Sequence, residues 1–195
     1  MDPLLIDVPE VVHTERFILR RPGPGDGAKL NAAICASIDD LKGWMPWAQK
    51  APTPDESEAY CRRMVASWAL RQDLPLLIIE RMNTGDEGEV LGATGLHRIN
   101  WDVRSFEIGY WRRSGFASRG VITESIRGVA GMAFTALDAR RVEIRMDENN
   151  RASRRVAERA GFTFEGLLRC DSLTTGGEVR HTRVYSRVRG IEEPA

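Results

Sequence analysis

The chain has little from which to build a covalent or metal-bound scaffold. Cys35, Cys61 and Cys170 are odd in number, far apart and without a C-x-x-C pair. A disulfide framework or a zinc site is therefore not expected, and a reducing cytoplasm is. His13, His97 and His181 are scattered and suggest no metal cluster. No apolar run approaches the roughly 18 residues of a membrane span. The opening MDPLLIDVPEVV carries an early acid and no basic n-region, so a signal peptide is not expected. Charge of one sign is missing too: 28 basic and 28 acidic residues cancel. Overall electrostatics thus draw the protein towards neither nucleic acid nor membrane. Repeats, linkers and low-complexity tracts are absent.

What is present suits a soluble globular protein. A length of 195 residues fits one domain, 1–195, with a sizeable core, and 42% of residues are hydrophobic against 29% charged. Glu15 to Arg21 reads as a strand, followed by a turn cluster at Pro22–Asp26 and a helical pattern from about Asp26 to Ser37. Thr53-Pro54-Asp55-Glu56 has capping-box spacing with Pro at the first helical position, and Tyr60, Met64 and Trp68 then recur at four-residue steps. Leu76–Arg81 and Val90–Ile99 read as a hairpin around the polar loop 83–88. Phe106–Trp111 is a further strand. Val142, Ile144 and Met146 alternate, Asn150 opens a short helix closed by Gly161, and Phe162–Leu168 with Val179–Val188 form a last hairpin. Hairpins mixed with crossovers imply an α+β fold on a mixed sheet.

The most informative stretch is EIGYWRRSGFASRGVITE, from Glu107 to Glu124. Period-2 alternation ends at Ser114-Gly115. After Ser118-Arg119-Gly120, Ile122, Ile126, Val129 and Ala133 recur at helical spacing. A basic loop opening onto a helix presents unpaired backbone N–H groups, a natural phosphate site. The same stretch also reads as an ordinary strand-to-helix turn. It carries no G-x-G-x-x-G after Tyr110 and no Lys-Ser/Thr pair after Gly120. Arginines are locally dense from Arg112 to Arg155, which suits a small polyanionic ligand or a solvated face with compensating acids.

In order along the chain stand ERFILRRP, LGATGLHRINW, EIGYW, SRGVITE, ENNRASRRVAERAGFTFEG and VRHTRVYS. Together they resemble the GNAT acetyltransferases, and within them the RimJ/RimL-type N-acetyltransferases, over roughly Thr14 to Arg189. The resemblance implies a twisted mixed sheet flanked by helices and splayed in the middle, with acetyl-CoA as co-substrate in the splay. The family's phosphate loop, Q/R-x-x-G-x-G/A, falls on Ala117-Ser118-Arg119-Gly120-Val121-Ile122, with Thr123 next. Gly120 matches the central glycine, while Ala117 and Ser118 depart from the pattern. Asn150 and Ser153 are implied on the pantetheine side, Asn150 also being a helix N-cap.

Nothing spells an acyl-enzyme. There is no G-x-S-x-G elbow, and His97 has no spaced partner. Direct attack of an amine on the thioester is the simpler reading, with Gly109, Tyr110 and Trp111 supplying backbone N–H groups. Resemblance makes Glu107 the candidate general base, the alternatives being an exposed strand carboxylate or a structural ion pair, and Ser153 is a candidate proton donor to the thiolate. Trp44 and Trp47 form either a wall over the acceptor or a plug between helices. His97 either faces the cleft or is a hydrogen-bonded core histidine. The acceptor expected is a protein or peptide N-terminus, a ribosomal protein being one candidate. The alternatives are a small amine (polyamine, amino acid or aminoglycoside) and a catalytically silent acyl-CoA-binding module. Relatives of this branch often form homodimers, so the resemblance makes a homodimer the expected assembly.

Overall fold

A computed structural model describes residues 2–194. Its frame is one eight-stranded sheet in the order β1-β2-β3-β4-β5-β6-β8-β7. The strands are β1 (Val11–His13), β2 (Phe17–Arg20), β3 (Leu74–Arg81), β4 (Glu87–Asn100), β5 (Ser105–Arg112), β6 (Arg141–Asp147), β7 (Thr163–Leu173) and β8 (Val179–Val188). The helices are α1 (Gly27–Cys35), α2 (Ile38–Leu41), α3 (Pro54–Ala69), α4 (Val121–Ala136) and α5 (Arg151–Arg159). Neighbouring strands pair antiparallel except β5 and β6, which pair parallel across the α4 crossover. The expected α+β mixed sheet is therefore present.

Alternation along β5 sets the two faces. Phe106 and Ile108 are buried among Ile126, Val129, Ala130 and Ala133 of α4, which occupies one face. A second cluster lies around Leu30, Ala33, Ile34 and Cys61 of α1 and α3, against Ile18, Leu77, Ile79 and Val90. Thr53 caps α3 in a full capping box with Glu56, worth about 1 kcal/mol. Gly161, at φ +85°, follows the end of α5 as the spacing predicts.

Two elements escape the sequence pattern. β1 is only three residues long and alternates between exposed and half-buried positions, and α2 is a single turn. β7 also extends beyond Leu168 to Leu173, as a mostly exposed edge strand whose polar residues hide its pairing with β8.

Candidate active site

The sheet comes apart at its middle. β5 and β6 pair only at Ser105↔Arg141, Phe106↔Val142 and Glu107↔Glu143, then diverge. A cleft of about 940 Å³ opens there, lined by residues of both strands and of α1, α3 and α5. Beyond Glu107 one edge of β5 has no partner strand. Arg113 N–H donates to Leu91 O at 2.7 Å on the β4 side. Alternate residues of an antiparallel strand address the same neighbour. Gly109 and Trp111 therefore turn their backbone groups to β4, and Ile108 and Tyr110 turn theirs to the gap. Of the three residues expected to offer N–H groups here, Tyr110 is the one whose backbone faces the opening.

The loop before α4 has the predicted helix-terminus form. Ser118 and Gly120 hold φ of +60° and +74°, and Gly120 is the N-cap without a side-chain cap. The first N–H groups of α4 are thus left without side-chain partners. Ala117 to Gly120 are exposed, whereas the Val121 and Ile122 side chains are buried, Ile122 at the cleft wall. Arg119 stacks on Phe116 at 5.2 Å. Arg16 clasps the loop: it donates to Arg119 O at 2.8 Å and pairs with Glu124 in the first turn of α4. Several of the other arginines are neutralised by acids, while Arg151, Arg154 and Arg155 gather beside Glu158. Arg113, Arg141, Arg145 and Arg154 pair with Glu89, Glu143, Asp171 and Glu158.

Across the gap, the Asn150 side chain accepts from Ser153 N at 3.0 Å and caps α5. Ser153 Oγ lies 2.7 Å from the Tyr110 hydroxyl. Burial pushes the Tyr110 phenol up to about 12, only partly offset by that hydrogen bond, so it stays protonated at neutral pH.

The other face of β5 carries a polar row. Cross-strand pairing puts Glu107 beside His97 and Glu143. Glu107 is mostly buried, its Oε2 has no hydrogen-bond partner, and Arg98 Nη1 is 3.5 Å away. Burial raises the Glu107 pKa, against the pull of Arg98 and Arg145. His97 is about a third exposed and lines the cleft. It is not a core histidine, and it does have a partner: Asp73 Oδ1 is 2.6 Å from its Nδ1. The absence of a spaced partner in the sequence is thus corrected by the fold. Trp44 and Trp47 are about half exposed and also line the cleft, with Trp47 edge-on to Trp111 at 6.0 Å. Thr175, at the tip of the β7–β8 hairpin, donates to Gly43 O beside them.

Residues 16–163 match the acetyltransferase (GNAT) domain family. The chain belongs to the GNAT acetyltransferases. This acetyltransferase is 33% identical over 171 residues to "Putative ribosomal N-acetyltransferase YdaF" of Bacillus subtilis (strain 168), covering 88% of this chain and 90% of that one. Its fold matches Mycobacterium smegmatis RimJ in complex with CoA-disulfide, at TM-score 0.83 and 24% identity over 100% of this chain and 93% of that one. It also matches RimL, a ribosomal L7/L12 α-N-protein acetyltransferase in complex with coenzyme A, at TM-score 0.81 and 20% identity over 92% and 98% of the two chains.

The acetyltransferase has site residues that no motif announces. Asp73 stands between α3 and β3 in an unremarkable Gln-Asp-Leu, and Tyr60, Asp147 and Arg180 line the cleft from three different elements. Only the register of the folded sheet brings Asp73 to His97. No group of three or more candidate metal ligands exists among the described residues. No helix there is long and apolar enough to cross a membrane.

Proposed function

We propose that this N-acetyltransferase, with acetyl-CoA as co-substrate, acetylates the α-amine of a protein or peptide N-terminus by direct attack. The observation that carries the reading is the fork where β5 leaves β6. On its gap side are the Tyr110 backbone and the Tyr110–Ser153 hydroxyl pair. On its other face is the buried Glu107 carboxylate, with the half-exposed Trp44 and Trp47 lining the same cleft. The residues present fit the co-substrate. The N–H groups at the start of α4, cradled by Ala117 to Thr123 with Gly120 in the left-handed region, suit a diphosphate, and Asn150 and Ser153 flank the gap where a pantetheine arm would pass.

In this reading the fork at Gly109 to Trp111 aligns the thioester, and Ser153 gives a proton to the departing thiolate. Glu107, with its pKa raised by burial, takes a proton from the attacking nitrogen. An α-amine suits so modest a base. Neutralising an α-amine at pH 7 costs roughly 1 kcal/mol, and a lysine ε-amine roughly 4.6 kcal/mol. The ribosomal names of the relatives support a protein N-terminus, and hence work in the cytoplasm, for this chain. The exposed Leu167, Leu168, Leu173 and Val179 of the last hairpin support a homodimer, which sedimentation would test.

The test is acetyl-CoA-dependent release of CoA thiol across N-terminal Ala, Ser and Met peptides, N-terminally blocked lysine peptides, polyamines and aminoglycosides. Turnover of the free α-amine peptides supports the reading. Turnover of small amines alone replaces it with a small-molecule acetyltransferase. Silence with acetyl-CoA bound replaces it with a binding module.

A further inference from the structure

The proton balance of the proposed reaction asks for more than one base. A protonated amine, R–NH₃⁺, carries three N–H bonds and the amide product carries one. As the C–N bond forms and the C–S bond breaks with its electron pair on sulfur, two protons must leave the nitrogen. One ends on the CoA thiol and the other in solvent. Glu107 accounts for a single acceptor.

We propose that His97, held by Asp73, is the second proton acceptor, the one that neutralises the ammonium before attack and passes its proton to solvent. The proposal rests on the reading of the site as an amine acetyltransferase.

Three observations carry it. The first is the hydrogen bond. An ionised carboxylate only accepts, so at 2.6 Å the Asp73 carboxylate requires the proton of a neutral His97 ring on Nδ1. Nε2 then carries the lone pair, as a base needs, and the carboxylate stabilises the imidazolium once the ring is protonated.

The second is position. His97 is the direct cross-strand neighbour of Glu107, and neighbours so paired have Cβ atoms roughly 4.5–5.5 Å apart on the same face. Nε2 also lies over Gly109, 3.0 Å from where a Cβ on that residue would stand. One nitrogen in the cleft is thus within the neighbourhood of both acceptors.

The third is exposure. The His97 and Asp73 side chains are each about a third exposed, while Glu107 is largely buried with an unpartnered oxygen. The division of labour follows. The exposed dyad can return its proton to water after each turnover. The buried carboxylate takes the second proton, from a nitrogen made strongly acidic by bond formation, and that proton replaces the one Ser153 has given to the thiolate.

The groups that face the dyad are consistent with this use. Glu107 on β5 adds negative charge beside the ring, and Asp73 does so from the other side. Tyr60 on α3 lines the same cleft, with its phenol pushed up to about 12 by burial and then by the Asp73 charge, so it remains neutral. Arg98, next in sequence, and Arg145 on β6 act on Glu107.

The experiment follows kcat against pH for wild type, His97→Gln and Asp73→Asn with a saturating N-terminal Ser peptide whose turnover by the wild type is established first. Thermal midpoint and acetyl-CoA affinity serve as controls for folding. If the wild type turns over no free α-amine, the acetyltransferase reading of the acceptor fails. If the wild type works, the proposal predicts that His97→Gln lowers kcat at pH 7 by about 5- to 10-fold, the penalty of waiting for the minor neutral form of an α-amine there. The deficit should shrink towards pH 9, where the α-amine is neutral without help. Asp73→Asn, whose amide can donate to Nδ1 and so shift the ring proton to Nε2, should show the same pH-dependent deficit. The double variant should be no worse than His97→Gln alone. An unchanged kcat in either single variant, a deficit constant at every pH, or an effect confined to KM would overturn the proposal.

Discussion

The imidazole of His97 rests on Gly109. A Cβ built at that glycine would stand 2.8 Å from His97 Cδ2 and 3.0 Å from Nε2. Gly109 is thus required for space rather than for an unusual backbone, and it is what lets a ring on β4 lie against the strand that borders the gap.

Gly109→Ala should therefore displace the ring. The clash is with an imidazole anchored at its far nitrogen by Asp73, so relief means losing the 2.6 Å bond or shifting β5. Overpacking of this kind costs about 1–3 kcal/mol. The expected result is a lower thermal midpoint and a kcat loss matching that of His97→Gln, with acetyl-CoA affinity retained. Wild-type kcat in this variant would show that the ring can move without consequence.

Gly120 tests the phosphate loop. It sits at φ +74°, and its nearest outside atom is Arg16 Nη2, 3.0 Å from an added Cβ. Gly120→Asp places a carboxylate where a diphosphate would meet the first N–H groups of α4 and should abolish acetyl-CoA binding in calorimetry. Gly120→Ala carries the left-handed strain, about 1–2 kcal/mol, and a tight contact with Arg16, and should weaken binding without abolishing it. Unchanged affinity in the aspartate variant would refute the placement of the loop.

Glu107→Gln should separate stability from activity. Burial raises the pKa of Glu107 in the folded protein, so between the unfolded and folded values the native state binds more protons than the unfolded one. This group's contribution to stability therefore falls as pH rises from the ordinary value of 4.5 through the higher folded value. Gln removes that loss. Denaturant unfolding should find Glu107→Gln at least as stable as wild type at pH 7, with the advantage shrinking below pH 4.5. Its kcat should fall while acetyl-CoA affinity holds. A variant less stable at pH 7, with full kcat, would mark Glu107 as a structural partner of Arg98.

Tyr110→Phe should expose the coupling across the gap. Its hydroxyl is the Ser153 Oγ partner at 2.7 Å, on a half-buried side chain at the cleft wall. Removing it leaves the serine hydroxyl free to rotate and costs about 1 kcal/mol of stability. If Ser153 donates to the thiolate, kcat should drop with acetyl-CoA affinity little changed. An equal loss in Ser153→Ala and in the double variant would show that the two hydroxyls act as one unit.

Much of this site was legible in the sequence, for identifiable reasons. β5, Gly120, α4 and Asn150 lie within about 45 contiguous residues, where alternation, glycine and capping signals report local geometry directly. The His97–Asp73 pair was not legible, because it depends on register. Counted from Arg81↔Glu87 along a regular hairpin, ten residues each way, His97 would face Arg71. Irregularities at Ile78/Ile79 and Ile79/Arg81 shift the pairing so that Leu74 faces Leu96, and Asp73 stands opposite His97 instead. Which backbone groups of Gly109, Tyr110 and Trp111 face the gap was hidden for the same reason: alternation gives side-chain faces but does not say which neighbouring strand each residue addresses.

The most direct test of the central claim uses one peptide that carries both a free N-terminal serine and an internal lysine. Incubated with the enzyme and limiting acetyl-CoA, its mono-acetylated product is located by tandem mass spectrometry. The account predicts acetyl on the N-terminal nitrogen, with the lysine unmodified. Acetyl on the lysine ε-nitrogen, or no product from an enzyme that turns over polyamines, would contradict it.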